Sequence, residues 1–99
     1  MSLRDAMIAA RRLMLLRLLA ECDGELNEAV IRSALRRSGF GLASADDVRS
    51  DLDHLAEAGC LTPRWEGRLR VVTLTERGDD TAHGRVAIDG VEHAPWRRA

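Results

Sequence analysis

Between Ser44 and Leu74 the apolar residues of this chain change their spacing from one helical turn to every second residue, and few folds accept that change over so short a span. Val48, Leu52, Leu55 and Ala56 make one apolar stripe on a helix that begins at Ser44, a side chain suited to capping free N–H groups. Asp46 and Asp47 put negative charge in the first turn, where the helix dipole favours it. Gly59 stands where a helix ends in a left-handed residue. Leu61, Pro63 and Trp65 then alternate with Thr62 and Arg64, Glu66-Gly67 signals a turn, and Leu69 to Leu74 is a return strand rich in β-branched residues. The stretch predicts a helix followed directly by a β-hairpin, hence an α+β domain.

Upstream, residues 3–21 predict a long helix with apolar positions on two opposed arcs. Ile8, Leu15 and Leu19 share one, with Leu16 at its margin; Leu3, Met7, Ala10, Met14 and Leu18 share the other. The first arc predicts a face for the chain's own core. The second predicts a homodimer interface, or else a face that the C-terminal segment folds back to cover. Asp23-Gly24 ends this helix, and Glu25-Leu26 is short enough for a single-bridge strand. Asn27 caps a second helix to Ser38, with Ala29, Val30, Ala34 and Leu35 predicted to face inward. Phe40 is predicted to anchor the following turn in the core. After the hairpin, Thr75 caps a short helix from Glu76 to His83, ended by Gly84. The remainder is turn-rich, with Val86, Ile88, Val91 and Trp96 predicted to dock as an arm and the last residues loose.

Ninety-nine residues suffice for one core without metal or disulfide staples. No apolar run approaches the roughly 18 residues of a membrane span. Arg11, Arg12 and Arg17 interrupt the N-terminal apolar positions, so no signal peptide and a cytoplasmic location are expected. Cys22 and Cys60, far apart and outside any CxxC, are predicted to be reduced, small buried hydrophobes. Aromatics are scarce (Phe40, Trp65 and Trp96), which argues against a base-stacking platform for RNA or single strands. Asp79 and His83 have a two-ligand helical spacing, but His54, His83 and His93 are dispersed. No Ser-His-acid or Cys-His constellation and no Gly-rich phosphate loop is present. The expectation is a protein that is not an enzyme and uses neither metal nor cofactor.

Helix, glycine, hairpin and a closing Leu74-Thr75-Glu76-Arg77-Gly78 outline a winged helix-turn-helix. With LxHLAEAGCLTPRW and RVVTLTERG in view, the chain resembles bacterial winged-helix regulators of the ArsR, MarR and PadR kind. From RRLMLLRLLAE through LTERG to GRVAIDGV, about residues 10 to 92, it looks still more like a small ArsR-like protein of Mu-like transposable phages and prophages. The resemblance implies a three-helix core, a β-hairpin wing and a short fourth helix over residues 1–84, with 85–99 a partly ordered C-terminal arm. It also implies double-stranded DNA as partner, transcription regulation as role and the host cytoplasm as location.

In such proteins the helix before the wing enters the major groove. Here that helix is 44–58, with Ala45, Asp46, Arg49, Ser50, Asp53 and His54 expected outward. One arginine faces five carboxylates between Ser44 and Gly59, a net −4 that phosphates would repel. Arg49 is the candidate base reader, or else it pairs with Asp53 one turn on. The cations lie beside this helix: Arg64, Arg68 and Arg70 against Glu66 in the hairpin, and Arg32, Arg36 and Arg37 on the second helix. These six, with Arg49 and Ser50 in the groove, are the predicted DNA-contacting residues. All 15 basic residues are Arg, which a G+C-rich genome or selection for bidentate phosphate contacts would both produce. An acidic helix beside a basic hairpin also fits an interface with a phage or host protein. The net charge of −1 supplies no global pull toward nucleic acid.

Overall fold

A computed structural model describes residues 1–95, so Trp96, expected to dock with the arm, and the terminal residues expected to be loose lie outside it. The described chain runs α1 (Leu3–Glu21), β1 (Glu25–Asn27), α2 (Glu28–Arg37), α3 (Ala45–Glu57), β2 (Leu61–Glu66), β3 (Leu69–Leu74) and α4 (Glu76–Ala82). The strands make one antiparallel sheet in the order β1-β3-β2, with Leu26 opposite Val72 and Trp65 opposite Arg70. This is an α+β architecture compatible with the winged-helix expectation.

Local chemistry sets the boundaries. Ser44 Oγ accepts from the Asp47 amide, and the Asp47 carboxylate accepts from the Ser44 amide, a reciprocal cap that fixes where α3 begins. Hydrogen bonding to it from the Ser44 amide first, and then from the Ser44 side chain, holds the Asp47 carboxyl below its ordinary pKa. At the other end Gly59 has φ +80°, and the Cys60 amide reaches back to the Leu55 carbonyl. The Leu-Thr-x-x-Gly segment has a physical meaning here. Thr75 caps α4 while its hydroxyl donates to the Gly59 carbonyl at 2.6 Å, and Arg77 Nε donates to the Ala58 carbonyl at 2.8 Å. Gly78 packs so closely that a Cβ would run into the Cys60 carbonyl oxygen. The motif thus seals the base of the hairpin onto the end of α3.

The core lies between α1, α2, α3 and the inner half of the sheet, with Leu15, Leu16, Leu19, Ile31, Leu35, Leu52, Leu55 and Val72 fully buried. Each such aliphatic side chain stabilises the fold by roughly 1.5–3 kcal/mol relative to exposure. In α2 the inward residues are Ile31 and Leu35, whereas Ala29 and Val30 face out, contrary to the sequence expectation. The pairing of Leu26 with Val72 fixes the entry angle of α2, and this rotates the four-residue pair Ile31/Leu35 onto the core. Phe40 packs partly buried against the core, as expected. Cys22 is exposed, contrary to expectation, because it is the C-cap of α1, beyond the last buried turn; Cys60 is buried. Val91 and Ala94 are buried and Val86 and Ile88 half-buried, and the Glu92 amide donates to the Ala9 carbonyl, so residues 86–94 lie against α1. They cover the edge near Ile8, Ala9 and Arg12 and leave Leu3 and Met7 of the other arc exposed.

Candidate nucleic-acid interface

The stripe of α3 that faces the core contains a carboxylate as well as Val48, Leu52 and Leu55. Asp51 is 0% exposed, one turn from Val48 and Leu55. Its two oxygens accept from Arg11 Nε (2.5 Å), Arg11 Nη2 (3.0 Å) and Arg12 Nε (3.0 Å), both arginines belonging to α1. An ionised carboxylate can be buried only when paired and hydrogen-bonded in this way. The bond to Asp51 raises the Arg11 pKa above its ordinary value despite burial. Sequence reasoning counted Asp51 among the charges facing phosphate; the structure turns it the other way and neutralises it. The available signal was a carboxylate inside an apolar stripe, and the adjacent Arg11-Arg12 pair interrupting an apolar helix.

The outward residues of α3 are Asp46, Arg49, Ser50, Asp53 and Glu57. His54, expected among them, is half-buried, because its Nε2 donates to the Asp89 carbonyl at 2.7 Å under the C-terminal segment. Ala45 is likewise half-buried. Arg49 does not pair with Asp53: its Nε meets Glu28 of α2 at 3.4 Å and its Nη1 meets Asp46 at 3.8 Å. Asp53 is taken by Arg70 of β3 at 2.7 Å, and the Arg70 guanidinium lies 5.3 Å from the centroid of Trp65. Trp65 remains 60% exposed, since β2 leaves the body of the protein after Leu61.

The predicted DNA-contacting arginines therefore divide. Arg64 forks onto Glu25 of β1 at 2.8 and 2.9 Å and touches Glu66 at 3.0 Å. Bonds from Arg64 and Thr73 pull the Glu25 carboxyl down to about 2. Arg64 and Arg70 are thus engaged within the sheet and with α3. Arg36 and Arg37, in the last turn of α2, and Arg68, at the hairpin turn, are exposed and make no ion pair with the described residues. Arg32 is half-buried, its Nε buried without a hydrogen-bond partner.

The second arc of α1 is graded along its length. Met14 and Leu18 pack against the core and Ala10 is half-buried, while Leu3 is 79% and Met7 53% exposed. Met7 lines a shallow cleft with Phe40 and Leu42, the latter fully open to solvent. At the far end of the chain, His83 Nδ1 donates to the Asp79 carbonyl, and the Asp79 carboxylate is also engaged by Arg85.

A helix-to-hairpin unit with Arg49 and Ser50 outward on α3, and with arginines on α2 and the hairpin turn that make no ion pair among the described residues, defines a small α+β protein with a mixed-charge surface. The chain is 39% identical over 90 residues to the uncharacterized protein gp26 of Escherichia phage Mu, covering 91% of this chain and 93% of that one. It is 35% identical over 78 residues to an uncharacterized protein of Haemophilus influenzae, covering 78% and 76%. It belongs to the family of these Mu-like phage proteins. No protein-family model and no solved structure matches the chain. Among the described residues no helix is long and apolar enough to cross a membrane.

Proposed function

We propose that this is a winged-helix protein that binds duplex DNA and regulates transcription of a phage or prophage as a homodimer, without catalysis or cofactor. The strand order supports the winged-helix reading: β1, between α1 and α2, pairs with β3, and the hairpin leaves directly from the end of α3. The observation that carries the DNA reading is the set of exposed arginines that make no ion pair among the described residues, Arg36 and Arg37 on α2 and Arg68 at the hairpin turn, together with the exposed Arg49 and Ser50 of α3. In this reading the first three contact phosphates, Arg32 supports them, and Arg49 turns from Glu28 toward a guanine. Arg64 and Arg70 contribute only if DNA outcompetes Glu25 and Asp53.

Gel-shift assays against fragments of the encoding element, at two salt concentrations, test this. Retention falling steeply with salt, and lost on Arg36→Ala with Arg37→Ala, is the expected result. Salt-insensitive retention, or none, removes the reading. The exposed Leu3 and Met7 support a dimer through α1. Sedimentation of Leu3→Asp/Met7→Asp should show a monomer where the parent chain is a dimer.

A second reading, an adaptor that binds a phage or host protein, is favoured by the exposed Asp46, Asp53 and Glu57 on α3. It requires no DNA retention and co-purification of a partner that Asp46→Asn/Glu57→Gln abolishes.

A further inference from the structure

Where the first turns of α2 and α3 meet the hairpin turn, a cavity of about 260 Å³ opens to the surface. Arg32 of α2, Arg49 of α3 and Arg68 of the hairpin line it, with Glu28 as the one carboxylate and Val48 and Leu69 as apolar wall. Three arginines from three separate elements thus line one space. Glu28 is committed to Arg49, at 3.4 Å. That leaves Arg32 and Arg68 without a carboxylate among the described residues. The buried Arg32 Nε is also the one buried side-chain nitrogen or oxygen among them that lacks a hydrogen-bond partner. A buried N–H with nothing to accept it is rare in folded proteins; this one is closed to solvent, so what the cavity gains from Arg32 is its charge and the rest of its side chain in the wall. Both helices also begin at this cavity, with Glu28 and Ala29 opening α2 and Ala45 opening α3, so their positive ends add to the field.

We propose that this cavity is an anion seat that takes one phosphate group. The guanidinium groups of Arg68 and Arg32 are its cations, Arg68 giving the fork, and Arg49 is held at its edge by Glu28. Arginine suits the task because its planar fork matches two oxygens of a tetrahedral anion. The single carboxylate leaves the lining with net positive charge while orienting Arg49. The phosphate arrives either in the backbone of duplex DNA or on a free phosphorylated small molecule. In the first case the seat rests on the DNA-binding reading above; in the second it stands without it.

The test uses the full chain labelled for NMR of arginine side chains, titrated with inorganic phosphate at constant ionic strength, with chloride as control. Saturable shifts of the Arg32 and Arg68 Nε–Hε signals, with Arg36 and Arg37 unmoved, are the expected result. Arg68→Ala, a change at an exposed turn, should weaken phosphate binding about tenfold or more through loss of a charge-assisted fork, and Arg17→Ala, at an exposed position of α1, should leave it unchanged. Linear or uniform shifts across all exposed arginines, or an Arg68→Ala protein with unchanged affinity, overturn the seat. A short duplex then identifies the source. DNA that excludes phosphate from the seat, and binds more weakly to Arg68→Ala, assigns it to the backbone. Phosphate binding without DNA binding keeps the seat, assigns it to a free ligand and removes the DNA reading. DNA binding that depends on Arg36 and Arg37, beside a flat phosphate titration, removes the seat and leaves the DNA reading intact.

Discussion

Asp51 and Asp53 stand two residues apart on α3, carry the same charge and each bind arginine, yet they occupy opposite environments. Asp51 is sealed between α3 and α1 with three hydrogen bonds from Arg11 and Arg12. Asp53 keeps 68% of its side chain in water and shares one close contact with Arg70. The inner group holds the helix that would approach a partner against the helix that would form a dimer. The outer group tunes what that partner meets. A charge count along the chain treats them alike, whereas dielectric and geometry make one structural and the other adjustable.

The largest effect should come from breaking the inner site. Asp51→Ala leaves two partly buried guanidinium groups facing each other and should cost about 3–5 kcal/mol in denaturant unfolding, much of the stability of a domain this size. Replacing all three residues by apolar ones of similar volume (Asp51→Leu with Arg11→Met and Arg12→Met) should recover most of that loss. A further drop on triple replacement would show that the charges contribute more than their mutual neutralisation. Between the two aspartates lies the cap: Ser44→Ala should lower stability by about 1 kcal/mol and fray the first turn of α3, visible as faster amide exchange at Val48. Asp53→Ala should cost under about 1 kcal/mol, and its coupling to Arg70 in a double-mutant cycle should fade in high salt. A loss equal to that of Asp51→Ala would erase the distinction between the two sites.

The smallest effect belongs to pH. Glu25 has a folded pKa of about 2 against an ordinary 4.5, with Arg64 as the main cause. A depressed carboxylate contributes stability that is fully present above about 4.5 and is lost as pH falls through about 2. Carboxyl NMR should therefore show Glu25 titrating late, and Arg64→Ala should return it toward the ordinary value. Glu25 is an exposed side chain, and solvent screening makes the associated stability change small.

Much of this architecture was legible because it rests on short-range chemistry. The Ser44 cap, the Gly59 stop, the hairpin around Gly67 and the Thr75 start of α4 each depend on neighbours within a few residues. The candidate site was legible only as an inventory of arginines. Arg64 is opposed by Glu25, 39 positions away, and Arg70 by Asp53, 17 positions away, separations over which periodicity carries no information. The misassigned face of α2 has the same origin, since Ala29/Val30 and Ile31/Leu35 are both acceptable helical stripes until β1 pairing sets the rotation.

The sequence by itself determined the order of helices and strands, because caps, glycines and the switch in apolar period act locally on the backbone. Only the tertiary structure decided which charges survive at the surface. Packing α1 against α3 buried Asp51 with Arg11 and Arg12, and placing the hairpin beside β1 and α3 engaged Arg64 and Arg70, while Arg36, Arg37 and Arg68 make no ion pair among the described residues. Coulomb energies depend on distance through the fold and on local dielectric, and neither is written in the spacing of residues along the chain.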